Sequence, residues 1–209
     1  MTIESYKKCQ IVIAENAGDV AIARHEGAIA EARAEGAIAH AQARYTTAVA
    51  WNKGSHADAR DNSATALAMA EDAKARAWVP GAIAAAWVEG AIAQAWTKGA
   101  IAQAWTKGAI AQARIEGAIA EAWAWGVIAE ARTKGAIAQA RKEGAIAEAW
   151  VEGAIAAAWA EGTIALALAE GARAIAWADG ATALALAKGA LAEARVEGAI
   201  AKLWDHHKT

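Results

Sequence analysis

His56, Asp58 and Arg60 alternate along the chain, Lys74 and Arg76 repeat that spacing eighteen residues on, and His40 and Gln42 precede Asp58 and Arg60 by the same interval. A histidine, a carboxylate and several cations gathered on one surface could bind an anion or transfer a proton, provided that a cleft excludes water and perturbs their pKa values. A metal on His40, His56 and Asp58 is geometrically conceivable, but the spacing matches no recognised ligand pattern, so neither a metal nor a cofactor is expected. His206 and His207 stand in the last few residues and carry no expected role. The lone Cys9 can form no internal disulfide and is compatible with a reducing compartment.

A second set of groups is aromatic. The chain has eleven Trp and no Phe, and Trp interleaved with Arg could stack on single-stranded nucleic acid. The acidic residues that accompany them, such as Glu89, Glu116 and Glu152, would repel phosphates. With a formal charge of −2 there is no basic footprint, so nucleic acid is not an expected partner. No stretch carries a credible membrane-spanning or signal-peptide pattern, and a cytoplasmic protein without membrane attachment is expected.

The elements that position these groups follow from the repeat. All 18 glycines fall on multiples of nine, from Gly18 to Gly198, and Cys9, Tyr45, Ser63 and Asp72 occupy that slot where Gly is missing. The unit reads Gly-Ala-Ile-Ala-x-Ala-Trp-x-x. With the glycine slot as position one, position four is Ala except at Val12, and position six is Ala except at Leu203.

Ala, Glu, Gln, Lys and Arg are also good helix formers, so a helix competes. At about 100° per residue, successive units would be rotated by roughly half a turn, which scatters Ile and Trp around the helix and leaves no apolar stripe. Each Gly would also cost about 1 kcal/mol. As a strand, positions two to seven alternate cleanly, as in Ala91-Ile92-Ala93-Gln94-Ala95-Trp96, and Thr97-Lys98-Gly99 turns the corner. Positions two, four and six stay small, whereas five and seven accept many residue types, so the Ala face points inward.

The expected fold is therefore all-β: a narrow parallel β-solenoid with two nine-residue units per coil of about 18 residues, an Ala-filled core and two flat sheets. At about 4.8 Å per coil, eleven coils would form a rod of about 50 Å. One solenoid domain is expected over 9–206, with a lead-in over 1–8 and a tail over 207–209. Val12 and Leu203 are expected to plug the two ends.

This repeat resembles the Ala-rich, aromatic-dotted nonapeptide solenoids of phage and bacterial type. That likeness implies a solenoid and supplies no catalytic residues. RTX-type β-rolls share the nine-residue period and two units per coil, but their Asp-bearing calcium pattern is missing here, so calcium is not implied.

Stacking residues by eighteen gives the outer columns. One sheet carries Trp78, Trp96, Arg114, Arg132, Trp150, Leu168, Leu186 and Trp204, the other Trp51, Met69, Trp87, Trp105, Trp123, Arg141, Trp159 and Trp177, each beside a ladder of Ile. Apolar stripes this long exceed what monomers usually leave in water. A non-enzymatic structural or interaction protein is expected, docking through these ladders onto copies of itself or another protein. The expected contact residues are Leu166, Leu168, Leu184 and Leu186, with Trp78, Trp96, Trp87, Trp105 and Trp123. The alternative is a small-ligand or anion-binding protein that uses His40, His56, Asp58, Arg60, Lys74 and Arg76.

Overall fold

A computed structural model describes residues 1–203; Trp204, His206, His207 and the expected tail lie outside the described residues. The strands are short, four residues each after the first, and occupy positions three to six of the repeat. They are β1 (Thr2–Glu4), β2 (Ile11–Ala14), β3 (Val20–Ala23), β4 (Ile29–Ala32) and so on, one per unit, to β23 (Ile200–Leu203). Odd-numbered strands form a first sheet of 12 strands and even-numbered strands a second sheet of 11, each in sequential order. Every pairing is parallel with an offset of eighteen residues, as in Ile83↔Ile101 and Ala84↔Ala102. This is a parallel β-solenoid of about eleven turns with two repeat units per coil.

The alternation of small and large residues sets the layers. Ala84 and Ala86 are fully buried, as are their counterparts in the coils away from the C-terminal end, and the two sheets meet almost entirely through Ala methyl groups, with Val12 and Val127 the larger apolar residues in that layer. Each buried CH₂-sized group contributes only about 0.8 kcal/mol, so the ladders must carry much of the stability. Ala also loses no side-chain rotamer entropy when it is ordered, which lowers the cost of folding. At position two, Thr46, Ser55 and Thr163 replace Ala, and each hydroxyl donates to the carbonyl of its own turn, at Ala43, Asn52 and Ala160.

The corners explain the glycines. In the turn at Gly90, Ala91 N–H donates to the Val88 carbonyl at 3.1 Å, and Gly90, at φ +75°, is the third residue of that four-residue turn. A positive φ at this place is the mark of a type II turn and favours Gly. The column from Gly81 through Gly99, Gly117, Gly135, Gly153 and Gly171 to Gly189 is also a hydrogen-bonded ladder, each N–H donating to the next glycine's carbonyl. Cys9, Tyr45, Ser63 and Asp72 adopt the same conformation at φ 56–63° despite their side chains.

Two features differ from the sequence expectation. Within the segment expected as a lead-in, β1 already pairs in register with β3, Thr2 opposite Val20 and Glu4 opposite Ile22. Met1-Thr2-Ile3-Glu4-Ser5 thus follows the repeat without its Ala, and the buried Ser5 stands at position six. At the ends, Val12 is buried, whereas Leu203 is 70% exposed.

Candidate functional site

The outer faces are built by the same two-residue alternation. Position-three Ile and position-seven Trp or Arg flank the position-five side chain on one face. Long neighbours on both sides, and further residues one coil above and below, cover position five almost completely: Gln94, Gln112 and Glu130 are buried although they point away from the core.

Burial of these groups is offset by hydrogen bonds that recur along the rod. The position-seven donor reaches back two residues to the position-five acceptor: Trp96 Nε1 to Gln94 Oε1 at 3.2 Å, Arg132 Nε to Glu130 Oε2 at 2.6 Å, Trp123 Nε1 to Glu121 Oε2 at 3.0 Å. Between coils, Gln94 Nε2 donates to Gln112 Oε1 and Gln112 Nε2 donates to Glu130 Oε2, both at 2.8 Å. Glu148 comes next in this column, opposite Glu130. Burial pushes the Glu148 carboxyl above its usual range, and the Glu130 charge pushes the same way, against a hydrogen bond from Trp150.

The tryptophans expected as contacts are stacked on each other. Trp78 and Trp96 lie 5.3 Å apart between centroids at 12°. In the second sheet Trp87, Trp105 and Trp123 stack at 5.0 Å, Arg141 covers Trp123, and Trp159 stacks on Trp177 at 5.1 Å. Trp96, Trp105 and Trp123 have neighbours of the column on both faces, and Trp78 and Trp87 each stack through one. Trp87 and Trp159 remain 44% and 43% exposed.

The four leucines also come together. Leu166 lies directly opposite Leu184, with Leu168 and Leu186 two residues further along the same strands, β19 (Ile164–Ala167) and β21 (Thr182–Ala185), or just past them. All four are half-buried. Trp150, one coil before Leu168, is 48% exposed, and a shallow open hollow lies between it and Arg132.

The polar patch assembles on the first sheet. Its strands are β5 (Ile38–Ala41), β7 (His56–Ala59) and β9 (Lys74–Ala77), which place His40 opposite Asp58, Asp58 opposite Arg76, and His56 opposite Lys74. Asp58 is buried, with His40 Nδ1 at 3.3 Å and Arg60 at 3.1 Å from its Oδ2. The 3.3 Å His40 contact is poorly aligned for a hydrogen bond, and His40 Nδ1 and Asp58 Oδ1 are both buried without a hydrogen-bond partner. Burial acts to raise the Asp58 pKa, but His40, Trp78 and Arg60 together outweigh it and hold the carboxyl below its usual range. His56 is lowered by burial first, then by Arg76 and Lys74.

Sequence reasoning missed the position-five hydrogen-bonded column of Gln94, Gln112, Glu130 and Glu148. The signal was present as acceptors at position five followed two residues later by Trp or Arg. The chain matches no protein-family profile, no curated protein and no solved structure.

Proposed function

We propose that this is a non-enzymatic structural or interaction protein, a rigid solenoid that docks through its outer ladders, in the first instance onto a second copy of itself. The observation that carries the reading is the block of Leu166, Leu168, Leu184 and Leu186, four half-buried apolar side chains gathered on adjacent strands beside the exposed Trp150. An uncharged apolar patch of this kind can face its own copy across a two-fold axis without opposing like charges, and two-fold dimers are the commonest homo-oligomers. The net charge of −2 offers little repulsion between copies. Kinship with the Ala-rich nonapeptide solenoids of phage and bacterial type and a cytoplasmic setting belong to the same reading. The mutual stacking of the indoles supports a protein partner over a nucleic acid, since bases would need free ring faces.

The test is the combined substitution Leu168→Asp and Leu186→Asp, followed by the mass in solution from light scattering. Loss of association with an unchanged circular dichroism spectrum supports docking through this block. An oligomer that survives both charges rejects it.

One observation favours a second reading, anion or small-ligand binding by segment 40–76. Among the described residues, the Lys74 and Arg76 side chains have neither a hydrogen bond nor an ion pair.

A further inference from the structure

The arrangement of β7 and β9 leaves positive charge without an acceptor. Lys74 and Arg76 are two residues apart, so both side chains lie on the outer face of the first sheet, about 6.6 Å apart along the strand. Both are half-buried. Their neighbours on one side are His56 and Asp58, on the other Ile92 and Gln94. Asp58 is already engaged by Arg60 and His40 on one oxygen, and the Gln94 amide is used by Trp96 and Gln112.

We infer that Lys74, Arg76 and His56 form a site for one phosphate-type oxyanion. Deepening the anion-binding reading of segment 40–76, this assignment stands apart from docking through the leucine block. Guanidinium and ammonium groups on one rigid strand can share an oxyanion, the first as a planar fork and the second as a point charge. His56 completes the set: burial first, and then Arg76 and Lys74, hold its proton off in the free protein; the ligand neutralises the two cations, and the imidazole then takes a proton more readily and becomes a third donor. The other charged or titratable groups near this position are His40, Asp58 and Arg60, with Arg114 two coils on adding a further positive charge that Arg76 feels; the Asp58–Arg60 pair is internally balanced. The competing arrangement is a swing of Arg76 onto the unpartnered Asp58 Oδ1, its neighbour in the ladder.

The experiment follows the His56 ring resonance by NMR against pH, in inorganic phosphate and in chloride of equal ionic strength, for the full chain and for a Lys74→Ala, Arg76→Ala variant. Phosphate is expected to raise the His56 midpoint by about half a pH unit or more in the parent chain, and the variant should lose that response. No response in the parent overturns the anion-binding reading as a whole, and this outcome needs no variant to fold. A response that persists in the variant overturns the assignment to Lys74 and Arg76. Co-sedimentation with phosphatidylglycerol vesicles, without a response to free phosphate, would replace a free oxyanion by a lipid headgroup and overturn the inference as stated.

Discussion

Arg141 bridges two indole stacks: its guanidinium carbon lies 5.0 Å from the Trp123 ring centroid and 5.9 Å from that of Trp159. The same side chain reaches Glu121 at 3.0 Å. With Arg195 over Trp177 at 5.1 Å, the second sheet carries one continuous column from Trp87 to Arg195.

Arg141→Ala should therefore destabilise the fold by about 1–3 kcal/mol, through loss of two ring contacts and of a cation beside the buried Glu121. Arg141→Trp should recover part of this by extending the indole stack, without recovering the charge. Urea midpoints for the three chains check the order, and an Ala variant as stable as the parent would remove the column from the account of stability.

The turn slot offers a gain. Tyr45 adopts φ 56° and is 66% exposed, so Tyr45→Gly should stabilise by about 1 kcal/mol by relieving the Cβ clash of a left-handed residue. Gly117, at φ +71°, should behave in the opposite way as Gly117→Ala, where the new Cβ would also press on Lys98. Equilibrium unfolding of both variants measures the two signs.

Core width can be tested by one enlargement. Ala102 is fully buried in β12 (Ile101–Ala104), and Ala102→Leu adds three carbons where methyl faces methyl. Overpacking costs about 1–3 kcal/mol in ordinary cores and occasionally more. A solenoid held at Ala-to-Ala spacing should lie at the upper end or fail to fold. A Leu tolerated without loss of thermal stability would mean that the sheets are not in methyl contact.

Acid–base linkage gives a signed outcome at Glu148. Its folded pKa is raised above the ordinary 4.5, chiefly by burial, so the ionised form is disfavoured in the native state. Below the ordinary pKa both states are protonated and nothing is lost. As pH rises through that value and then the folded pKa, stability falls and then levels. Glu148→Gln should thus unfold at higher urea than the parent at pH 7.5 and at about the same urea at pH 3.5. Asp58 has the reverse sign: its lowered pKa contributes stability above the ordinary 3.8, lost as pH falls through that value and below.

The coil was legible because a left-handed residue, Gly in all but four units from Cys9 on, recurs at one place in each turn, and because positions four and six, Ala84 and Ala86 among them, are Ala in all but one unit each while variable residues such as Ala85 and Trp87 alternate with them. The columns Trp87–Trp105–Trp123 and Leu166–Leu184 followed from arithmetic once two units made a coil. Burial of Gln94 and Glu130 did not follow, because residue type at position five varies and its cover comes from neighbours on other coils. Nor did the pairing of Thr2 with Val20, since Thr2-Ile3-Glu4 lacks the Ala signature and is held by its backbone ladder. The free state of Lys74 and Arg76 depends on side-chain geometry that periodicity does not encode.

Mass in solution tests the central claim most directly. Size-exclusion chromatography with light scattering on the parent chain should return a defined oligomer, a dimer at twice the 21.4 kDa chain mass or larger. A clean monomer across the accessible concentration range would contradict self-docking of the ladders.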